Sequence, residues 1–387
     1  MRTVEKCKHE KYKIIASRKT KDYNGGKSLQ GGSPMLQQIT ELRHTLHDCA
    51  ELSNMEVKTK ALLMDFLRTH TTMELHPCGQ GFYAVHREPD PVKPAIALRA
   101  DYDALAKPDG TVEHLCGHDG HAAALCGGAL MAEGKTLGRD VFFLFQPAEE
   151  TGDGAAPCCE LFNKEDVSEI YGAHNLPGWP LGQVVTREGT FACASRGVTL
   201  CFVGKPTHAA YPENGVSPAL AVGRLLCAVP ELSEPSRYTG MTLCTVIGVE
   251  MGEKAFGAAA EKAEVWLTLR GEHDGDLNKL FDSVLALSEQ LAEEYGLDFT
   301  YAVQDVFPVT ENDPNCARKV LTLCDGEVLD VPMRWSEDFG HYLNVCKGAF
   351  FGIGAGAEHP PLHTEDYEYP DALLQPTMEA FWKLMNS

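Results

Sequence analysis

Two adjacent carboxylates, Glu149 and Glu150, follow an apolar run at residues 141–145 and precede a Thr-Gly-Asp-Gly segment at residues 151–154. Neighbouring side chains of a strand point to opposite faces, so both carboxylates can serve one site only if the strand has ended between them. Glycine gives the backbone the freedom for such a turn. Two carboxylates in one site repel each other unless a cation takes one and leaves the other as a base. The pair therefore predicts a metal site with its own base, with an acidic surface turn as the alternative.

A cluster of histidine and cysteine lies upstream of the acidic pair, at residues 114–121. Cys116 and His118 are two positions apart around a glycine, a spacing that lets a loop wrap both side chains onto one ion. Thiolate, imidazole and carboxylate together favour zinc, with manganese, cobalt or nickel as alternatives where oxygen ligands increase. A buried cysteine beside hydrogen-bonded histidines is the competing interpretation. Two isolated histidines, His174 and His363, lie downstream, and either one alone is more often a hydrogen-bonded residue than a ligand.

Strands and helices alternate around these residues. Apolar runs predict buried strands at residues 95–98 and 141–145, and an Ala/Leu-rich segment predicts a helix at residues 121–134. This order favours a mainly parallel sheet that is covered by helices on both faces. Ligands of such sheets gather at the carboxyl ends of the strands. Four candidate residues fall at these ends: Asp101, Glu149, Glu150 and His174.

A second pattern begins after about residue 190. Its predicted elements follow the order strand, helix, strand, strand, helix, strand, at residues 196–203, 218–226, 241–249, 263–269, 277–291 and 297–303. That order is typical of a ferredoxin-like unit. The pattern of the first domain resumes at Asp313 and ends with a helix at residues 373–385. We therefore predict a two-domain α/β protein, with a catalytic domain of residues 35–190 and 309–387 and an inserted α+β domain of residues 191–308.

The composition limits the classes of function. A chain of 387 residues with 44% apolar residues can bury two ordinary cores. Its net charge of -21 argues against nucleic acid or an anionic membrane as partner and favours a small polar substrate. The 14 cysteines form no C-x-x-C pair and no apolar signal segment precedes them, which indicates reduced thiols in a cytoplasm. No apolar run approaches the roughly eighteen residues of a membrane span.

The first 34 residues differ from the rest of the chain. Lys and Arg recur there, two glycine pairs follow, and no apolar face is present. This composition predicts a basic, flexible tail in solvent. A transit peptide is the alternative, against which the acidic residues Glu5, Glu10 and Asp22 count.

Six motifs occur along the chain in one order, at residues 42–47 with 51–53, 98–101, 116–121, 145–150, 208–212 and 362–363. In this order they resemble the M20 peptidase superfamily, in the amidohydrolase branch that includes aminoacylases, hippurate hydrolases and auxin-conjugate hydrolases. Each motif alone is weak, whereas six in sequence are specific. The resemblance covers nearly all of the chain after residue 34.

The resemblance implies a site for two divalent metal ions, zinc or manganese, with cobalt or nickel as alternatives. The implied ligands are Cys116, His118, Glu150, His174 and His363. Glu149 is then the free base, which deprotonates a water and delivers the proton to the leaving amine. Four further residues are expected to orient the ligands, with ordinary packing as the alternative: Asp101, His114, Asp119 and His121.

The inserted domain contributes two more residues that the resemblance implies. His208 is expected to reach the active site of a partner subunit and to bind the carbonyl oxygen as charge develops, so that activity requires a homodimer formed through this lid domain. Arg270, near a strand end, matches the carboxylate-binding arginine, with a surface arginine as the alternative. Residues 256–260 lack an asparagine that many relatives have, and Pro206 and Thr207 stand in place of a glycine pair. These departures affect the substrate pocket and leave the ligands unchanged.

Together, these expectations describe a cytoplasmic, dimeric, metal-dependent amidohydrolase. Its predicted substrate is an N-acyl amino acid, above all an N-acetyl one, and its products are a free amino acid and a carboxylate. A dipeptidase or aminopeptidase that uses the same centre is one alternative. A non-catalytic metal-binding dimer that has kept the fold is the other.

Overall fold

The computed structural model describes residues 33–387, so all but the last two residues of the predicted basic tail lie outside the described part. Its α-helices are α1 Pro34–Asp48, α2 Val57–His70, α3 His118–Ala132, α4 Ala155–Cys158, α5 Leu161–Lys164, α6 Ala219–Leu232, α7 Asp274–Tyr295, α8 Pro314–Cys324, α9 Gly340–Leu343 and α10 Leu374–Asn386. Short 3-10 turns occupy Pro212–Asn214, Pro235–Arg237 and Asp371–Leu373.

The strands of the same residues are β1 Glu74–Cys78, β2 Gly81–His86, β3 Ala95–Asp101, β4 Leu105–Ala106, β5 Val112–Glu113, β6 Val141–Gln146, β7 Val167–Pro177, β8 Val184–Thr186, β9 Gly189–Ala192, β10 Ala194–Val203, β11 Thr207–His208, β12 Thr242–Met251, β13 Ala258–Ala259, β14 Lys262–Gly271, β15 Asp298–Phe307, β16 Thr310–Asn312, β17 Glu327–Val328 and β18 Lys347–Gly356. The strands and helices predicted from the sequence are present, and their ends differ by a few residues. The largest difference is in α6, which continues past Pro230 to Leu232.

The larger sheet has eight strands in the order β1-β2-β6-β3-β7-β18-β8-β17. Its four central strands β6, β3, β7 and β18 are parallel, whereas β1, β2 and β8 join antiparallel to their inner neighbours. The predicted α/β class with a mainly parallel sheet is thus confirmed. Because the central strands run in one direction, their carboxyl ends lie along one edge of the sheet.

The two faces of this sheet pack against different elements. Alternate residues of β6 point to opposite faces: Phe143 and Phe145 join the core formed with the long helices α1, α2, α3 and α10, whereas Phe142 and Leu144 join a second core with the short helices α4, α5 and α9. Helices on both faces were predicted. The structure has long helices on one face only, because the chain on the other face is taken up by the loops that lead to and from the site.

The smaller sheet is antiparallel, with the order β12-β14-β10-β15. Helices α6 and α7 cover one of its faces and share a separate core with it. The chain order β10-α6-β12-β14-α7-β15 is the ferredoxin-like order that the sequence predicts. The boundaries at residues 191 and 308 and the role of this unit as a lid stay predictions. Among the helices of residues 33–387, none combines the length and apolar character that a membrane crossing needs.

The Phe143 side chain tests the main core. It is fully buried between the sheet and α3, so Phe143→Ala should lower the free energy of unfolding by about 3–5 kcal/mol through lost burial and a cavity. Urea unfolding followed by circular dichroism measures this change. Val92, which is 84% exposed, gives the matched control, because Val92→Ala should change the free energy by less than about 0.5 kcal/mol. Equal effects of the two substitutions would contradict the assignment of this core.

Candidate metal centre

The acidic pair lies in a tight turn directly after β6. The strand ends at Gln146, and Ala148 adopts a left-handed backbone with φ 52°. The N–H of Gly152 donates to the carbonyl of Glu149 at 2.8 Å and closes the turn. The strand therefore ends before both carboxylates, and not between them as the sequence predicts, because the left-handed turn already begins at Ala148. A left-handed alanine costs free energy, and such residues persist where the surrounding structure holds them.

The structure brings the five predicted ligands into one cluster. Cys116 Sγ lies 3.4 Å from Nε2 of His174 and 3.3 Å from Nε2 of His363. Glu150 Oε1 lies 3.5 Å from Nε2 of His363 and 3.8 Å from Nε2 of His118. Sulfur, imidazole nitrogen and carboxylate oxygen thus converge from three loops, from strand β7 and from the first turn of α3.

The imidazole rings of this cluster are oriented by hydrogen bonds on their far sides. His118 Nδ1 donates to Asp103 Oδ1 at 2.9 Å, and His174 Nδ1 donates to the carbonyl of Asn175 at 2.8 Å. Since each Nδ1 carries the proton, the lone pair of Nε2 faces the cluster. Within residues 33–387, His118 Nε2 and Glu150 Oε1 are buried without a hydrogen-bond partner. Such atoms fit a bound cation, because a buried acceptor without a partner is costly.

The electrostatics of the cluster also fit a cation. The sulfur of Cys116 and the carboxylate of Glu150, at 3.3 and 3.5 Å from Nε2 of His363, raise the pKa of His363 to about 10, so the cluster favours positive charge at that position. Burial, and next the neighbouring His121, lowers the pKa of His174 well below its usual value. His174 is therefore neutral at pH 7, the state in which imidazole binds metal. The residues present fit a centre for divalent metal ions, in agreement with the sequence prediction.

Glu149 differs from Glu150 in its surroundings. Its side chain is buried and, within the part of the chain that the structure describes, makes no hydrogen bond or ion pair. Its oxygens nevertheless come within 4.8 Å of ligand atoms of His118 and Glu150. Burial, then the nearby Glu337 and Glu150, raise the pKa of Glu149 well above its ordinary value. A carboxylate in these surroundings binds protons readily, as a general base must.

The four residues predicted to orient the ligands divide into two pairs. Asp101 and His121 lie behind the cluster. Nδ1 of His121 is 2.6 Å from Oδ1 of Asp101, and Nε2 of His121 is 2.5 Å from Oδ1 of Asn175. Asp119 and His114 make no hydrogen bond or ion pair with the five clustered residues in the described structure.

Asp119 faces α1 instead. It accepts from Nδ1 of His47 at 2.9 Å and Nη1 of Arg43 at 3.4 Å. The physical reason is helical geometry, since successive residues of α3 point about 100° apart, so that Asp119 cannot face the cluster when its neighbour His118 does. His114 is buried with both ring nitrogens unpartnered among the described residues, 6.2 Å from the ring of His47.

Several residues of the site were missed by the sequence reasoning. Asp103 holds His118 through Oδ1, and its Oδ2 accepts the N–H of Glu150 at 3.0 Å. Glu337 and Asp338 are buried and share Nη2 of Arg99, at 3.0 and 2.8 Å. A signal for them existed, because Glu337-Asp338 is a second adjacent acidic pair, like the one at 149–150, and Asp103 follows Asp101 at the spacing of one strand face.

The two residues predicted from the inserted domain lie in different surroundings. Arg270 Nη1 donates to Ser336 Oγ at 2.8 Å and to the carbonyl of Arg334 at 3.3 Å. Between these two residues lies Trp335, whose ring centroid is 5.3 Å from that of His174, so Arg270 lies beside the site. His208 is exposed on β11, its Nδ1 accepts the N–H of Ala210 at 3.0 Å, and in the described structure it does not contact the cluster. The roles of both residues stay predictions.

Two curated relatives show what the chain is similar to. N-acetyl-L-cysteine deacetylase of Bacillus subtilis (strain 168) is 28% identical over 364 residues, which cover 89% of this chain and 85% of that protein. N-acetyldiaminopimelate deacetylase of Lacticaseibacillus paracasei is 27% identical over 368 residues, 88% of this chain and 95% of that protein. The alignments thus span almost the whole of each protein.

Solved structures share the fold. A protein described as a putative aminohydrolase from methicillin-resistant Staphylococcus aureus superposes with a TM-score of 0.79 at 24% identity, covering 91% of this chain and 96% of that one. A dinuclear metal binding peptidase from the M20 family of Bacillus subtilis gives a TM-score of 0.75 at 22% identity, covering 91% and 98%. Residues 97–387 match the family described as Peptidase family M20/M25/M40. This match spans three quarters of the chain and confirms the predicted resemblance: the chain belongs to peptidase family M20/M25/M40.

Proposed function

We propose that this protein is a metal-dependent amidohydrolase that removes the acyl group, acetyl above all, from N-acyl amino acids. The observation that carries the proposal is a buried, unpaired carboxylate, Glu149, beside a cluster of five metal-type ligands whose donor atoms face one another. Ion binding alone does not require the free base. Family membership supports hydrolase chemistry, and the names of the deacetylase relatives support the substrate class.

We propose two divalent ions as cofactors, held by Cys116, His118, Glu150, His174 and His363. The resemblance of fold to a dinuclear metal binding peptidase supports the number of ions. A thiolate with three imidazoles favours zinc, with manganese, cobalt or nickel as alternatives. When bound, the ions would lower the pKa of the attacking water and polarise the scissile carbonyl.

The residues of the chain itself have distinct tasks in this proposal. A carboxylate oxygen of Glu149 takes a proton from the attacking water, and the same carboxyl group then delivers it to the nitrogen of the leaving amine. His118 and His174 keep their Nε2 atoms towards the site because Asp103 and the carbonyl of Asn175 hold their Nδ1 protons. Arg270, next to Ser336, binds the carboxylate of the amino acid product through its remaining guanidinium donors.

His208 acts on a partner subunit in this proposal. Its Nδ1 is occupied by the N–H of Ala210, which leaves Nε2 for the carbonyl oxygen of the substrate. Support for a homodimer comes from the two edge strands of the smaller sheet, β12 and β15, which expose large apolar side chains: Val246, Ile247, Val249, Met251, Tyr301 and Val303. Exposed apolar side chains on the edge strands of a sheet mark interaction sites.

Replacement of Glu149 tests the proposed function directly. In metal-reconstituted protein supplied with N-acetyl amino acids, Glu149→Gln should lower kcat by about 10²–10⁴-fold, because an amide cannot accept the proton. The measurement is release of free amino acid. Metal content should not change, since Glu149 is not among the proposed ligands.

Glu133→Gln is the matched control, because Glu133 lies at the opposite end of α3 from His118. Its kcat should equal that of the unaltered protein. Turnover confined to unblocked dipeptides would instead indicate the dipeptidase or aminopeptidase. A Glu149→Gln protein with full activity would exclude this mechanism.

Metal analysis tests the ligand set. The reconstituted protein should hold two divalent ions per chain, and Cys116→Ala should hold less metal, because the thiolate is 3.3–3.4 Å from two imidazoles of the cluster. The readout is elemental analysis after dialysis, before and after chelation. Cys126→Ala is the control, since Cys126 is also buried but lies within the apolar core. Equal metal content in both variants would rule out Cys116 as a ligand.

The pH dependence tests the surroundings of the base. After burial, Glu337 is the main cause that raises the pKa of Glu149. Glu337 carries negative charge above its own pKa of about 8, and Glu337→Gln removes that charge, so the pKa of Glu149 should fall. Because only ionised Glu149 can accept a proton, the acidic limb of the kcat/KM profile should move to lower pH. A limb that stays in place, or moves to higher pH, would show that Glu337 does not act on the base.

A further inference from the structure

A second acidic residue, far from the site in sequence, touches the turn that carries the base. Glu56 is only 7% exposed, and its Oε1 accepts the N–H of Ala148 at 2.8 Å across 92 positions of the chain. Ala148 immediately precedes Glu149 and has φ 52°. The hydrogen bond therefore holds Ala148 in its left-handed conformation. That conformation sets the path of the backbone through the rest of the turn.

Glu56 does not serve its own helix. It occupies the N-cap position of α2 but makes no side-chain capping bond. Glu51 takes that task, since its Oε2 accepts the N–H groups of Lys58 at 2.8 Å and Thr59 at 2.9 Å. An acidic residue at a helix start usually caps the helix, and here the side chain of Glu51 already does so.

Burial of the Glu56 carboxyl also needs an explanation. Within residues 33–387 it forms no ion pair, and burial raises its pKa. A buried carboxyl group without a cation destabilises the fold unless hydrogen bonds compensate. The side chain of Glu56 accepts a hydrogen bond from the N–H of Ala148. The buried carboxyl group of Glu56 therefore points to the turn that carries Glu149.

The turn is held in the same way on the other side of Glu149. Asp103 Oδ2 accepts the N–H of Glu150 at 3.0 Å. Two buried carboxylates thus fix the residues immediately before and after the base. Glu149 itself makes no side-chain hydrogen bond in the described structure, so the backbone of its neighbours sets its position.

Glu56 belongs to a segment, residues 51–56, that contacts both this turn and the residues that follow β3. In residues 51–56, the carbonyl of Glu51 accepts the N–H of Ala104 at 2.9 Å, and Ser53 Oγ donates to Asp103 Oδ2 at 2.7 Å. Asn54 Nδ2 donates to Asp153 Oδ2 at 3.3 Å, at the far end of the turn. The segment connects α1 to α2, so two N-terminal helices become attached to the site.

We propose that Glu56 is a positioning residue, which acts through the backbone of Ala148 to hold Glu149 over the attacking water. This inference rests on the proposed function for the role of Glu149. The contact between Glu56 and Ala148 is independent of it. The structure thereby assigns a task to the segment 51–56, which lies before the part of the chain matched by the family.

The test compares two substitutions of equal length. Glu56→Gln keeps an oxygen that can accept the Ala148 N–H, whereas Glu56→Met fills the same space without an acceptor. In metal-reconstituted full-length protein, Glu56→Met should lower kcat for N-acetyl amino acids by about 10- to 100-fold, the effect of a displaced catalytic group, with KM within about threefold. Glu56→Gln should keep kcat within about threefold of the unaltered protein.

Hydrogen exchange gives a readout that does not need substrate. Deuterium uptake at the Ala148 amide, followed by nuclear magnetic resonance or mass spectrometry, should increase in Glu56→Met and stay low in Glu56→Gln. The double variant Glu56→Met/Ala148→Gly should recover part of kcat, because glycine adopts positive φ without strain. Glu133→Met removes a carboxylate that accepts the Thr72 N–H at 3.1 Å away from the site, and should change neither readout.

The outcomes separate the two claims. Equal kcat in the Gln and Met variants, or unchanged exchange at Ala148 in Glu56→Met, would overturn the positioning role. An unaltered protein that cleaves no N-acyl amino acid would overturn the proposed function, and the exchange measurement would still decide whether Glu56 holds the turn. Unchanged metal content in Glu56→Met shows that the loss of kcat does not come from loss of the ions.

Discussion

Negative charge concentrated at one edge of the parallel sheet is the constraint on which the rest of the site depends. Oxygens of Glu149, Glu337 and Asp338 lie within 4.8 Å of one another in the interior, and burial raises the pKa of Glu337 to about 8 and that of Asp338 to about 6. Buried carboxylates are tolerated only beside positive charge or hydrogen-bond donors. Arg99 supplies the charge on one side, and the proposed metal ions would supply it on the other.

The sheet brings these groups together because its central strands are parallel and in register. Asp101, the last residue of β3, pairs with Gln146, the last residue of β6. Gln146 then donates to Asp338 at 2.7 Å and accepts from Arg99 at 2.8 Å. The residues that follow each strand therefore leave the sheet side by side. A strand end fixes where a loop starts, and buried hydrogen bonds fix where its side chains go.

Positioning continues outward from the metal cluster in layers. The ring of His118 is held by its hydrogen bond to Asp103. Asp103 in turn accepts a hydrogen bond from Ser53 Oγ, in the segment before α2. On the opposite side, Arg270 of the smaller sheet holds the chain around Ser336, next to Trp335 and Glu337. Both the N-terminal helices and the inserted unit thus contact loops that carry site residues. Rigid support of this kind is what a catalytic arrangement requires.

The sequence by itself determined the element order, the mainly parallel sheet and the residue types at its strand ends, because hydrophobic periodicity and the motifs around Cys116 and Glu149 are local patterns. It also indicated which residues form the cluster, through their family resemblance. Tertiary structure decided that Asp103, Glu337 and Glu56 belong to the site and that Asp119 faces α1. The physical reason is that a side chain's partner depends on its direction and on chain segments tens to hundreds of positions away, which local spacing does not encode.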